Sequence, residues 1–438
     1  MVYFTTAASA EAAGYRPCLR CRPELSPSDG AWRRSDEVVA RALKLLDQGG
    51  LDDEPLTVLA ERVGIGERQL RRLFVERLGA PPIAVRRTRR LLFAKQLLTE
   101  TRLPITQVAL AAGFGSLRRF NAAFREAYRM PPSALRRQPG AAGGEKLTLR
   151  LAYRPPFDFA STLEFLRHRA IPGVELVDAA SYARVIPPDD GATHATTPWF
   201  RVSAWPNDEH ALKLEVHGAA STRLLGMVDH LRRMFDLDAD PQGIEHALAS
   251  CHVMRPLMHR RPGLRIPGGW DGFEIAVRAM LGARLRAGPA RTLAGRFMDE
   301  FGIPLVQPPA PGLDRLFPRP EMLADADFSA IGLPPARARV IRAVARAVVD
   351  RRVDFNPERT LEDFVARWTS VPGIGTQTAH YLALRALAHP DAFPVNAIQL
   401  RAAAPDNDHR RGGSGTAESW RPWRAYAALH LWHHTGWL

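Results

Sequence analysis

The sequence predicts a mainly α, multi-domain chain, and three observations carry that expectation. Its 438 residues, 46% of them apolar, suffice for roughly three packed cores. Apolar residues recur at helical spacing through most of the chain, whereas strand-like alternation is confined to a stretch beginning at Lys146 and ending near His217. Between these patterns, Pro-Gly-Ala-Ala-Gly-Gly-Glu between Gln138 and Lys146 is short, small and flexible, as a linker should be.

The helical part before the linker contains an internal repeat. Ala60, Gly64, Leu70 and Phe74, followed by Gly79-Ala80-Pro81-Pro82, echo Ala109, Gly113, Phe120 and Phe124, followed by Met130-Pro131-Pro132. In each copy a small residue lets two helices cross closely, a Gly makes the turn, and the later apolar residues hold the second helix on the first. This is helix-turn-helix spacing. A helix from Val85 to Thr99 joins the copies, and recognition helices are expected from Glu67 to Glu76 and from Leu117 to Glu126. Their outward faces offer Arg68, Gln69, Arg71 and Arg72, then Arg118, Arg119, Asn121 and Arg125. Arg pairs with guanine and Asn with adenine, although most such side chains touch phosphate.

After the linker, Lys146 to Tyr153, Ser181 to Ile186, Trp199 to Trp205 and Lys213 to His217 read as strands, and Phe159 to Arg169 and Ser221 to Phe235 as helices. This is a small α+β unit with Trp199, Phe200 and Trp205 expected in its core. From Asp240 onward the chain reads as helical, interrupted by the Pro-rich loop Pro304 to Pro320 and the polar, Gly-rich segment Pro405 to Ser419. Within it, Val371-Pro372-Gly373-Ile374-Gly375 separates the helical runs Leu361 to Thr369 and Thr376 to Leu387. A Pro-Gly-aliphatic-Gly turn at a helix N-terminus lets backbone amides face a phosphate, so Gly373, Ile374, Gly375 and Thr376 are expected to meet DNA.

The formal charge is +14, and residues 1–140 hold 24 Lys and Arg against 14 Asp and Glu. Lys and Arg that displace counterions dominate affinity for nucleic acid, so double-stranded DNA is the expected partner. The absence of an apolar run of about 18 residues speaks against a membrane helix, and a cytoplasmic protein is expected. Three cysteines cannot build a disulfide framework, and Cys18-Leu19-Arg20-Cys21 could supply only one half of a zinc site.

Four segments within about the last 180 residues, Arg261 to Pro267, Asp271 to Gly282, Val371 to Arg385 and Trp420 to Trp432, together resemble the helix-hairpin-helix DNA glycosylases of the AlkA type. Residues 35–137, above all Val108 to Phe114 with Phe120 to Phe124, resemble an AraC-type DNA-binding domain. Tyr3 to Pro23 is similar to the end of the zinc-binding domain of Ada-type alkylation-response proteins. The resemblances imply a remnant zinc domain at 1–30, a double helix-turn-helix at 35–137, a linker at 138–145, an α+β domain at 146–240 and an all-α glycosylase domain at 241–438. They imply base excision repair of alkylated purines coupled to DNA binding and transcription regulation. They also imply no required cofactor and a monovalent cation at the hairpin. Zinc is not expected, because only Cys18 and Cys21 of the four thiolates are there.

In the glycosylase family a carboxylate just past the hairpin stabilises the oxocarbenium-like sugar as the base departs. The matching position here is Ala397, beside Asn396, so no residue is assigned that role. Asp391 matches a different family position and is not promoted to it. Tyr381 and Trp432 match the aromatic wall of the base pocket, where cation–π attraction would favour positively charged alkylated purines. Gln377 replaces the pocket Trp, and Ala283-Arg284-Leu285-Arg286 replaces the family's Gln-Leu/Gln-Val-Ser run, with Arg284 and Arg286 expected near DNA. An AraC-type regulator without enzymatic activity is the competing expectation. Asp406 and Asp408 in the polar segment are the carboxylates whose approach to the pocket would separate the two.

Overall fold

The computed structural model describes residues 4, 6–16, 37–47, 55–136, 146–187, 197–206, 210–218, 224–283, 285–356, 360–395 and 417–436. Cys18, Cys21, the linker, Arg284, Asn396, Ala397, Asp406 and Asp408 therefore lie outside the described residues. The chain forms two compact units, one of residues 1–153 and 211–232, the other of 154–210 and 233–438. Among the described residues no helix is long and apolar enough to cross a membrane.

In the first unit the helix pairs Leu56–Arg62 with Glu67–Leu78 and Ile105–Ala111 with Leu117–Tyr128 are joined by the long helix Pro82–Glu100. The repeat spacing explains the packing. Leu70 and Phe74, four apart on one helical face, enter a core with Val39, Ala42, Leu45 and Leu59. In the second copy Phe120, Phe124 and Tyr128 stack along one face, with ring centroids 5.5 and 4.4 Å apart. Ser116 caps the second recognition helix, its hydroxyl accepting from the Arg119 amide at 3.2 Å.

A short helix, Ala7–Ala12, also belongs to this unit. The Thr6 hydroxyl donates to the Leu78 carbonyl at 2.9 Å, and the Thr88 hydroxyl donates to the Glu11 carboxylate at 2.8 Å. Burial pushes the Glu11 carboxyl above its usual range. The strand Lys146–Ala152 pairs antiparallel with Ala211–His217, Lys146 opposite His217 and Ala152 opposite Ala211. Gln96 Nε2 donates to the Arg150 carbonyl at 2.9 Å, tying this strand to the long helix.

In the second unit the helix Phe159–Arg169 precedes an antiparallel meander of Glu175–Val177, Ser181–Val185 and Trp199–Ala204. Phe200 is buried against Trp270, at 5.0 Å between ring centroids. Trp199 and Trp205 are only half-buried, which corrects their expected place in the core. The period of a strand puts Trp199 on the face opposite Phe200, and there Arg201 lies 5.6 Å from its ring centroid. The Pro304 to Pro320 stretch is not wholly irregular, since Ile303–Pro304 pairs with Arg315–Leu316.

The remaining helices include Gly272–Gly282, Ala287–Phe301, Pro335–Val349, the hairpin pair Leu361–Thr369 and Thr376–Leu387, and the last helix Arg424–Thr435. Buried Asp236 accepts from the Tyr426 hydroxyl at 2.7 Å and the Ile266 amide at 3.2 Å, which fixes the last helix and so the place of Trp432. Burial raises the Asp236 carboxyl to about 6.

Candidate nucleic-acid interface and base pocket

The hairpin turn is built by its sequence. Gly373 has φ +92°, in the region where only Gly is comfortable, and a Cβ there would lie 2.3 Å from Val340 Cγ2. Gly375 is the N-cap of Thr376–Leu387, and a Cβ on it would meet nothing within 4 Å. Ile374 is buried between them, and its amide donates to the Val371 carbonyl at 3.0 Å. The turn thus turns its apolar residue inward and leaves Gly375 and Thr376 exposed at a helix N-terminus, where an anion is favoured.

Tyr381 follows on the same helix, half-buried, with its ring centroid 6.5 Å from that of the buried Trp432. The two expected wall residues are therefore neighbours. Gln377 is exposed, and its Nε2 donates to the Pro394 carbonyl at 3.1 Å, bracing the chain just before 396 and 397. Asp391 is buried and fully engaged. It accepts from Arg424 through both carboxylate oxygens at 2.7 Å each and from Arg421 at 2.6 Å. Glu418 completes the network, at 2.7 Å from Arg421 and 3.0 Å from Arg424. A carboxylate so held anchors the chain after the hairpin to the start of the last helix.

The aromatic wall is not purely aromatic. The Tyr381 hydroxyl accepts from Arg385 Nη1 at 3.1 Å, and the positive charge of Arg169 acts on it as well. Arg278 adds a third positive charge nearby. Arg385 is buried, its second nitrogen donating to the Gly268 carbonyl at 3.2 Å. Arg169 and Arg385 also stack on Phe165, 3.8 and 4.9 Å from its ring centroid. Burial would raise the Tyr381 phenol, but the charges of Arg385 and Arg169 with the Arg385 hydrogen bond prevail and lower it to about 8. Arg278 and Arg385 lie inside segments that the sequence singled out, yet nothing in their spacing showed that both charges act on Tyr381. Arg169, at the end of a distant helix, gave no signal.

Of the run after Gly282, Arg286 is exposed at the N-cap of Ala287–Phe301, and Arg337 braces it from behind by donating to the Leu281 and Ala283 carbonyls at 3.1 and 2.8 Å. In the first unit Arg68, Gln69, Arg71, Arg72, Arg118, Arg119 and Arg125 are exposed and Asn121 is half-buried. Arg71 is ion-paired to Glu67 at 2.6 Å and Arg72 lies 3.7 Å from Glu76, so part of this face is internally matched. Among the described residues no group of three or more His, Cys, Asp or Glu could hold a metal.

Comparison with known proteins places this arrangement. A probable bifunctional transcriptional activator/DNA repair enzyme AlkA of Mycobacterium tuberculosis is 36% identical over 98% of this chain and 87% of its own length. The chain belongs to the AlkA family. The profile of the AlkA N-terminal domain matches residues 148–271, that of a helix-turn-helix domain 59–138, and that of the metal binding domain of Ada 1–24. The Escherichia coli DNA-3-methyladenine glycosylase 2 is 31% identical over 66% of this chain and 97% of its own length. A 3-methyladenine DNA-glycosylase from Archaeoglobus fulgidus superposes with a TM-score of 0.52 at 18% identity, covering 66% of this chain and 98% of that one, which shows the fold.

Proposed function

We propose that the chain binds double-stranded DNA through its helix-turn-helix pair and its hairpin, and excises alkylated purines slowly from a site that lacks the family's carboxylate. The observation that carries this reading is one helix, Thr376–Leu387, with an exposed N-terminus of the kind that suits a phosphate at its start and Tyr381 beside Trp432 further along it. An enzyme acting on a base within a duplex must extrude it, and a helix that holds the backbone at one end and an aromatic wall further on suits that step. On this reading residues 35–137 contact an operator, and 146–240 with 241–438 form the excision part. Arg68, Gln69, Arg118 and Asn121 are the side chains assigned to DNA in the first unit, and Arg286 with Gly375 and Thr376 in the second. A monovalent cation at the hairpin would be held by backbone carbonyl oxygens of the turn, the donors that hard cations take. The cytoplasm, with the DNA, is the compartment this reading implies.

Departure of the base leaves positive charge on the sugar, and losing a preorganised negative charge there costs on the order of 10² to 10³ in rate. Cationic alkylated purines leave readily by themselves, so slow excision survives. Release of 3-methyladenine and 7-methylguanine from methylated duplex DNA, measured as free base, tests the reading. The alternative, a damage-binding regulator without excision, draws on Ala397 and Asn396 and on the complete engagement of Asp391 by arginines. It predicts binding to methylated duplex with no free base at any enzyme concentration.

A further inference from the structure

We propose that Arg169, Arg278 and Arg385 form an oxyanion site at the aromatic wall, where one phosphate group is held beside Tyr381. The site serves excision and a damage-binding regulator alike, and only the choice of a DNA phosphate as occupant rests on the wall being where the extruded nucleotide lies. Convergence is the first support. The three guanidinium groups come from three helices, Phe159–Arg169, Gly272–Gly282 and Thr376–Leu387. Arg169 and Arg385 lie over one ring, that of Phe165, with their guanidinium carbons 3.8 and 4.9 Å from its centroid. Arg278 reaches the same place from the third helix, its Nη2 donating at 3.5 Å to the carbonyl of His168, the neighbour of Arg169. The Tyr381 hydroxyl accepts from Arg385 Nη1 at 3.1 Å, which leaves its own proton to donate outward. Arg169, Arg278 and Tyr381 are each half-buried, so a dissolved anion can reach this face.

Unmatched charge is the second support. Among the described residues none of the three arginines is ion-paired to a carboxylate. Their hydrogen bonds go instead to the Phe165, His168 and Gly268 carbonyls and to Tyr381. Two carboxylates lie in the same region and both are committed elsewhere. Glu175 accepts from the Tyr182 hydroxyl at 2.5 Å and from Arg184 at 3.4 Å, and Glu274, on the helix of Arg278, accepts from Arg184 at 2.9 and 3.0 Å. The carbonyl end of the helix Phe159–Arg169 offers only about half a negative charge, which leaves roughly two and a half positive charges unmatched.

Spare donors are the third support. The Nε groups of Arg278 and Arg385 are buried without a hydrogen-bond partner among the described residues. Surplus charge and spare N–H groups are the two properties with which guanidinium clusters take phosphate, and the surplus exceeds what one carboxylate would neutralise. The occupant is therefore a phosphate oxyanion, either a diester of the DNA strand or free inorganic phosphate.

Phosphorus NMR of inorganic phosphate with the full chain, at constant ionic strength set by chloride, reads binding as line broadening. Saturable broadening is expected in the natural chain, with affinity about 10- to 100-fold lower in Arg169→Gln and in Arg278→Gln, the worth of one charge-assisted hydrogen bond. Arg167→Gln removes an exposed charge from the same helix and should change the affinity by less than about twofold. Arg169→Lys keeps the charge without the planar pair of donors, so it stands in if Gln at 169 lowers the urea unfolding midpoint, and an intermediate affinity is expected. Duplex DNA carrying a stable abasic analogue, with a single neutral methylphosphonate moved through the flanking phosphates, separates the two sources. One position that weakens binding by the natural chain about tenfold, and has no effect in Arg169→Gln, identifies the DNA diester as occupant; saturable phosphate binding without such a position identifies free phosphate. Broadening no greater in the natural chain than in Arg169→Gln and Arg278→Gln, or lost equally in Arg167→Gln, overturns the proposal. Free-base release enters none of these readouts, so failure of excision and failure of the site are told apart.

Discussion

Gly373 and Gly375 stand two residues apart in the hairpin, and the structure gives them opposite sensitivities. Gly373→Ala places a methyl 2.3 Å from Val340 Cγ2 and 3.2 Å from Cγ1, on a backbone at φ +92°. The left-handed backbone costs an alanine about 1–2 kcal/mol, and forcing the methyl into a packed contact about 1–3 kcal/mol more. A destabilisation of about 2–5 kcal/mol is expected, read as the shift of the urea unfolding midpoint. Val340→Ala removes the clashing methyls, so the double variant Gly373→Ala/Val340→Ala should recover about 1–3 kcal/mol relative to the sum of the single changes. Gly375→Ala meets neither strain nor neighbours, since its φ is −92° and nothing lies within 4 Å. It should cost the fold no more than about 1 kcal/mol and weaken duplex binding about tenfold or more, because the methyl stands where a phosphate would approach the helix N-terminus. Additive effects at 373 and 340, or Gly375→Ala binding duplex as the natural chain does, would refute the reasoning.

Asp391→Asn leaves the buried Arg424 facing a neutral amide, and a loss of about 2–4 kcal/mol in unfolding free energy is expected; equal stability of the two chains would show that the network is dispensable. Burial holds His430 at about 4 against the ordinary 6.5, so its folded-state pKa is depressed. The stability linked to this group is present above the unfolded value and lost as pH falls through about 4, by up to about 3 kcal/mol, and His430→Leu should flatten the unfolding free energy measured across that window. Gel-shift affinity for duplex DNA should fall steeply with salt, and Arg68→Ala with Arg118→Ala should reduce the slope of log affinity against log salt by about two; binding indifferent to salt contradicts the assigned face.

Much of the fold was legible because its signals are local. The positions of Leu70, Phe74, Phe120 and Phe124 carry helical period and burial together, and they fix both recognition helices, which end at Leu78 and Tyr128, two residues beyond the expected stops. The hairpin was readable for the same reason, since the left-handed turn at φ +92° demands Gly373 and lies just before the helix start at Thr376. The helix Ala7–Ala12 escaped notice because six residues give no periodicity, and its attachment depends on Leu78 and Thr88, more than 70 residues away. The gathering of positive charge around Tyr381 was hidden for a similar reason. Arg169, Arg278 and Arg385 come from three separate helices, and their separate spacings say nothing of a shared neighbour. Trp199 was misplaced because aromatic content alone does not tell the two faces of a strand apart, whereas its alternation with Phe200 does.

The most direct test compares free-base release from methylated duplex DNA by the natural chain and by Ala397→Asp, at equal DNA occupancy. An excision fold missing one preorganised charge should show slow release in the natural chain and a gain of about 10- to 1000-fold in the variant, since one such contact is worth a few kcal/mol in the transition state. Release by neither chain, with duplex binding intact in both, would contradict the account and leave a DNA-binding regulator in its place.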